Sequence, residues 1–196
     1  MWPDTFKARL EALALLQSLN ADLLSHDSAT ETLRRWCVDH HLAEAADIIA
    51  ERVRGEDKAP DASVLAALHA GPNDPVRYRR VRLACGERVL SEADNWYLPA
   101  MLTPDMNRLL DETDTPFGVV VKPLNFQRRT LSAALLFSPL PDQWDQGAAT
   151  LTRPGDALLI PRQVIQHRAV LSTRAGAPFS LVVETYTDKV LPDRAP

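Results

Sequence analysis

The strand pattern that decides the fold lies in residues 78–99, which read YRRVRLACGERVLSEADNWYLP. In its first half, the apolar residues at positions 81, 83 and 85 alternate with Arg80, Arg82 and Ala84, as in a strand with one buried face. Cys85-Gly86-Glu87-Arg88 predicts a tight turn, and residues 89–98 predict the returning strand. The stretch therefore predicts an antiparallel hairpin.

Helical patterns dominate before this hairpin, and strand patterns dominate after it. Apolar residues at helical spacing predict helices over 4–19, over a segment that begins near 25–28 and carries Leu33 and Trp36, over 43–53 and over 64–69. Thr103 and Pro104 predict the start of a further short helix that ends at Glu112. Strands are predicted at 129–137, 167–173 and 179–186, with a Pro- and Gly-rich excursion at 138–163. This order predicts an α+β fold with a single antiparallel sheet flanked by helices.

The composition limits the class of protein. The chain has 196 residues and a net charge of −4, which suits one domain over residues 1–196, with a helical front at 1–70 and the sheet at 76–190. The negative net charge argues against a nucleic-acid partner. No apolar run reaches the roughly 20 residues of a membrane span, and the N-terminus lacks the features of a signal peptide. Cys37 and Cys85 read as reduced core residues, so a cytoplasmic protein is expected.

Sequence motifs for cofactors and metals are missing. The chain contains no GxGxxG, P-loop, GxSxG or HExxH motif, so neither a metal site nor a cofactor site is predicted. His40 and His41 are adjacent, whereas a metal site on a helix needs histidines about one turn apart. His167 has two interpretations, a general base or a strand histidine near the surface, and the second is favoured.

Charged residues inside the predicted strands are the remaining chemical signal. Arg80 and Arg82 share one face of their strand, and Arg128 and Arg129 open another. Glu184 closes the apolar run at 179–183, and a buried carboxylate must be paired or functional. Composition and pattern therefore predict an α+β domain with a candidate cationic pocket.

Four motifs, in the right order along the chain, resemble the chorismate pyruvate-lyase family. The hairpin at 78–99 resembles the central hairpin of that family, with an Arg five residues before a Cys and a Pro closing the return strand. Residues 115–118, TPFG, resemble the family's TPLG turn, and residues 23–30, LLSHDSAT, resemble its LLLEDSMT. Arg168 and the stretch 176–184 resemble its last hairpin. The same fold also forms the effector-binding module of some transcription regulators, so it does not settle the function.

The resemblance implies an internal ligand cavity under helical flaps and a cofactor-free reaction that removes pyruvate from chorismate, leaving 4-hydroxybenzoate. It implies that Arg80 clamps the ring carboxylate through its planar fork and that Glu184 meets the hydroxyl end of the ring. Further implied ligand contacts are the backbone at Ala29, Phe117 and Gly118 and the side chain of Arg168. A monomer is expected, because the family is monomeric.

Three departures from the family pattern affect this implied site. Ala29 replaces the family's Met and Phe117 replaces its Leu, so a differently shaped pocket is expected. The last hairpin is one residue longer before Glu184, which would turn that side chain to the other face unless a bulge absorbs the extra residue.

Three functions are therefore compared. The first is a lyase acting on chorismate or a similar enolpyruvyl acid. The second is a non-catalytic binder or sensor of a small aromatic carboxylate on the same fold. The third is an interaction protein whose arginines are surface charge. The position of Arg80, inside a cavity or in water, should separate the first two from the third.

Overall fold

Six antiparallel strands form one sheet in the computed structural model, which describes residues 1–26, 28–44, 47–146 and 157–193. The strands are β1 (Ile48–Val53), β2 (Arg77–Cys85), β3 (Arg88–Tyr97), β4 (Gln127–Leu135), β5 (Gln163–Ser172) and β6 (Pro178–Thr187). Their spatial order is β1-β2-β3-β6-β5-β4. The sheet therefore confirms the predicted α+β class, and the predicted central hairpin is β2 and β3.

Among the described residues, five α-helices accompany the sheet: α1 (Phe6–Ser25), α2 (Ala29–Asp39), α3 (Ala62–Leu68), α4 (Pro104–Glu112) and α5 (Phe117–Val120). Their starts follow from local chemistry. The hydroxyl groups of Ser28 and Thr103 accept hydrogen bonds from backbone N–H groups in the first turns of α2 and α4. Pro104 adds a preset backbone angle at the first position of α4. Within the described ranges, no helix is long and apolar enough to cross a membrane.

Different helices pack on the two faces of the sheet. We call the face that carries Val81, Ala93 and Glu184 the cavity face, since these residues are paired neighbours across β2, β3 and β6. Helices α1 and α2 pack over one half of it, and α4 and α5 pack over the other half. The short helix α3 covers part of the opposite face, against Trp96 and Leu181. The cavity face thus carries two separate apolar clusters.

Two predictions about the fold are wrong. Residues 48–53 form the edge strand β1 instead of the end of a third helix. Pairing with β2 overrides their helical spacing, and Ile49 is left exposed on the outer side of the strand. Cys37 and Cys85 are not reduced but form a disulfide between the end of α2 and the end of β2. Their 48-residue separation hid a pairing that the packing of α2 on β2 creates.

Candidate functional site

A cavity of about 380 Å³ lies on the cavity face, between the start of α2 and helix α5. Its floor is formed by β2, β3 and β6. Its apolar lining consists of Val81, Leu83, Ala93, Phe117, Val119, Phe126, Leu171 and Val182. Pockets of this size and composition hold small ligands, with a few polar groups fixing their orientation. The question is therefore which polar groups the cavity offers.

Arg79 is the most deeply buried charged group of this lining. Its side chain leaves β2 on the cavity face, and the residue is 2% exposed. Its Nη atoms donate hydrogen bonds to the carbonyl oxygens of Leu110, Thr113 and Thr115, and its Nε–H is buried without a partner. Burial, and then the nearby Arg52, lower the pKa of Arg79 to about 10, so it is still charged at neutral pH.

The charge of Arg79 is balanced by dipoles rather than by an acid. Among the described residues, no carboxylate forms a salt bridge with it. Its partners are carbonyl oxygens at the C-terminal end of α4, where the helix dipole is negative. A buried cation that keeps an unused donor favours an anion in the adjoining space.

Glu184 and Arg128 form an ion pair in the wall of the cavity. Nη2 of Arg128 lies 2.6 Å from Oε2 of Glu184, and their side chains are 13% and 11% exposed. Arg128 comes from β4 and reaches across β5 to Glu184 on β6. The carboxylate of Glu184 is therefore compensated from within the protein.

Three further polar features complete the site. Lys122 and Asn125 are exposed lining residues that lie between α5 and β4. Asn95, buried in the floor, accepts a hydrogen bond from the hydroxyl of Ser180. The first turn of α2 lines the opposite side at residues 28–30, where backbone N–H groups at a helix start favour an anion. The ionisable lining residues are three cations and one acid, so the cavity is positive overall.

Four of the predicted site residues line this cavity: Ala29, Phe117, Gly118 and Glu184. The extra residue in the last hairpin is absorbed by a bulge. Leu171 pairs with Ser180 and Ser172 pairs with Pro178, so Phe179 is unmatched. Glu184 therefore keeps its place on the cavity face.

Arg80 lies on the opposite face of the sheet, so its predicted position in the pocket is wrong. It forms ion pairs with Glu56 at 2.8 Å and Glu92 at 3.0 Å. Strand alternation puts Arg79, not Arg80, on the same face as Val81 and Leu83. β2 pairs with β1 in unbroken register from Arg80 to Cys85, so the odd offset of five residues turns Arg80 away from the face of Cys85, and the spacing taken from the family selected the wrong arginine.

Arg168 also misses the cavity. It pairs across the sheet with Val183, on the opposite face, and donates a hydrogen bond to the hydroxyl of Ser63 at 3.0 Å. The surface position favoured for His167 is likewise wrong. His167 is 1% exposed, and its Nε2 lies 2.7 Å from Oδ1 of Asn20 on α1. Neither residue lines the cavity.

Sequence reasoning missed Arg79, Arg128 and Lys122 as site residues. The signal for Arg79 was present, since a period of two groups it with the apolar residues at 81 and 83. No sequence signal joins Arg128 to Glu184, because the two are 56 positions apart and on non-adjacent strands. In the described residues, no cluster of His, Cys, Asp or Glu side chains could hold a metal ion.

Comparison with solved structures defines the class of fold. The structure is similar to that of PhnF from Mycobacterium smegmatis, with a TM-score of 0.51 and 12% sequence identity, over 87% of this chain and 68% of PhnF. The ligand-binding domain of a putative GntR-family transcriptional regulator from Bordetella bronchiseptica matches with a TM-score of 0.47 and 14% identity, over 79% and 91% of the two chains. At such low identity, the shared feature is the fold.

The chain spans about three fifths of the length of one protein that it resembles. The possible transcriptional regulator YydK from Bacillus subtilis matches with a TM-score of 0.44 and 9% identity, over 76% of this chain and 62% of that protein.

One relative defines the family by sequence. The chain is 52% identical over 196 residues to the uncharacterized protein y4mC of Sinorhizobium fredii, covering all of this chain and 83% of y4mC. The chain therefore belongs to the y4mC family. No protein-family model matches the sequence.

Proposed function

We propose that this protein binds a small carboxylate with a ring-sized apolar body, and that it does so without transforming it. The observation that carries this proposal is Arg79, a buried guanidinium with an unused Nε–H beside an apolar cavity of about 380 Å³. An anion in the cavity would compensate that charge, and the apolar walls would remove the rest of the ligand from water.

The shape of the lining supports a compact aromatic acid. The floor and walls supply aliphatic and aromatic side chains, including Phe117 and Phe126. The excess of cations and the first turn of α2 add positive potential. The chain also has the fold of PhnF, and the effector-binding modules of some regulators share the fold predicted from the sequence.

Binding is better supported than catalysis. In the predicted lyase, Arg80 would hold the substrate carboxylate and Glu184 would act at the hydroxyl end of the ring. Arg80 lies outside the cavity, and Glu184 is engaged by Arg128 at 2.6 Å. A carboxylate held in this way must leave its guanidinium partner before it can act on a substrate.

The lyase remains the second candidate, because Glu184 and a buried arginine do share the cavity. It would require Arg79 to replace Arg80 as the clamp. It would also require Glu184 to leave Arg128 when the substrate binds.

Calorimetric titration with three probes tests the proposal. 4-Hydroxybenzoate and benzoate should bind, whereas the neutral analogue 4-hydroxybenzamide should bind at least about tenfold more weakly, because it lacks the charge that Arg79 attracts. Incubation with chorismate should release no pyruvate. Equal binding of acid and amide would contradict the role of the charge, and stoichiometric pyruvate would establish the lyase.

A pair of variants locates the ligand. Val182→Phe places a ring in the cavity and should abolish binding, whereas Val183→Phe, one residue further on β6, lies on the opposite face. Both proteins should be compared by thermal unfolding to confirm that they fold. Binding that survives Val182→Phe and is lost in Val183→Phe would place the site elsewhere.

A further inference from the structure

Several arginines hold the C-terminal end of α4. Nη1 of Arg52, on β1, donates to the carbonyl oxygens of Leu110 at 3.0 Å and Asp111 at 2.5 Å. Arg77, on β2, forms an ion pair with the carboxylate of Asp111 at 2.7 Å. Arg79 binds the carbonyl of Leu110 from below. Three guanidinium groups thus attach the end of α4 to the sheet, in addition to its apolar packing.

Arg79 differs from Arg52 and Arg77 in one respect, which is that it also lines the cavity. Its Nη side faces the segment, with distances of 3.1 Å to the carbonyl of Thr113 and 2.7 Å to that of Thr115. Its Nε–H has no partner. One residue with a rigid, planar head group therefore holds the segment and also lines the ligand space.

The segment held by Arg79 leads directly into a wall of the cavity. Thr115 is followed by Pro116, Phe117, Gly118 and Val119, all of which line the cavity. The ring of Phe117 packs on Tyr97 with centroids 5.3 Å apart. A change in how firmly Arg79 holds the carbonyls at 113 and 115 would therefore change how firmly this wall is placed.

We propose that Arg79 is a positioning residue that couples ligand binding to the order of segment 110–120, an inference that rests on the proposed binding of a carboxylate. An anion beside the guanidinium supplies the missing acceptor and compensates the buried charge. The guanidinium plane is then fixed from both sides, and the three carbonyl bonds hold the segment more tightly. Because coupling between two equilibria is reciprocal, loosening the segment must also weaken the ligand.

Hydrogen exchange on the full chain, with and without saturating 4-hydroxybenzoate, measures this coupling. In the unmodified protein, the ligand should slow exchange of the amides at 110–120 by about fivefold or more. Arg79→Lys keeps a positive charge but loses the planar fork, so exchange there should be fast and should no longer respond to ligand. Arg77→Gln is the matched control, since it removes a contact to Asp111 from outside the cavity and should keep the response.

Arg52→Gln tests reciprocity without touching the ligand space. It removes two hydrogen bonds to the end of α4, so the affinity for 4-hydroxybenzoate should fall by about threefold or more. An unchanged affinity would overturn the coupling, even if Arg79→Lys fails to fold.

The outcomes separate the two proposals. If the unmodified protein does not bind 4-hydroxybenzoate or benzoate, the proposed function fails, and the coupling fails with it. If it binds but exchange at 110–120 is unaffected, the coupling alone is wrong. Ligand-induced slowing in Arg79→Lys equal to that in the unmodified protein would also overturn it.

Discussion

The ion pair between Arg128 and Glu184 provides the sharpest test of the site's electrostatics. The two charges are 2.6 Å apart, and their side chains are 13% and 11% exposed. Arg128→Gln would leave the Glu184 carboxylate in a largely apolar wall without its cation. Breaking a buried pair in this way costs about 3–5 kcal/mol. Slight exposure favours the lower end, about 3 kcal/mol, which corresponds to a fall in Tm of roughly 6–12 °C for a chain of this size.

Replacing both partners should cost much less than replacing one. Arg128→Gln with Glu184→Gln leaves two neutral amides that can bond to each other, so most of the lost stability should return. Urea unfolding of the unmodified protein, both single variants and the double variant completes the cycle. A destabilisation below about 0.5 kcal/mol for Arg128→Gln, or strictly additive single effects, would refute a buried and coupled pair.

Three further predictions concern stability. Burial lowers the pKa of His167, so the unfolded chain binds more protons than the folded protein, and stability should fall as the pH drops below about 6.5. In His167→Gln, the unfolding free energy should depend less steeply on pH. Replacing both cysteines by alanine should cost about 4 kcal/mol for a 48-residue separation, and dithiothreitol should lower the Tm of the unmodified protein but not of the variant. In urea unfolding, Gly86→Ala should destabilise the protein by about 1 kcal/mol more than Gly176→Ala. Both glycines have positive φ, but only at Gly86 would the new Cβ approach another residue, the Cβ of Ala43 at 2.9 Å.

Each of these three has a result that would contradict it. Identical pH profiles for the unmodified protein and His167→Gln would mean that this histidine is not linked to folding. Two titratable thiols in the unfolded, unreduced protein would exclude the disulfide. Equal losses for the two glycine variants would show that the contact behind Gly86 relaxes without cost.

Much of the architecture could be predicted from local patterns. Alternation at 80–85 and the glycine turn predicted the central hairpin. Thr103 as a hydroxyl cap, followed by Pro104, predicted the start of α4. The strands β4, β5 and β6 were predicted with shifts of a few residues at their ends. These features depend on neighbours in sequence, and so the sequence displays them directly.

The candidate site and the edge strand β1 were predicted less completely, each for a physical reason. Period-two alternation already groups Arg79 with the buried residues of β2, but the family's spacing of five residues before Cys85 was followed, and that odd offset selects the opposite face. The edge strand β1 was assigned to a helix, because its apolar spacing fits both structures and only its partner β2 decides.

The sequence by itself determined the class of fold, the central hairpin and the residues 29, 117, 118 and 184 that face the cavity. Tertiary structure alone decided which charges meet. Three contacts join parts of the chain that are distant in sequence. They are the ion pair of Arg128 with Glu184, the disulfide of Cys37 with Cys85, and the hydrogen bonds from Arg79 to the end of α4. Local propensities act over a few residues, whereas such contacts depend on how the strands and helices are stacked, which no short pattern encodes.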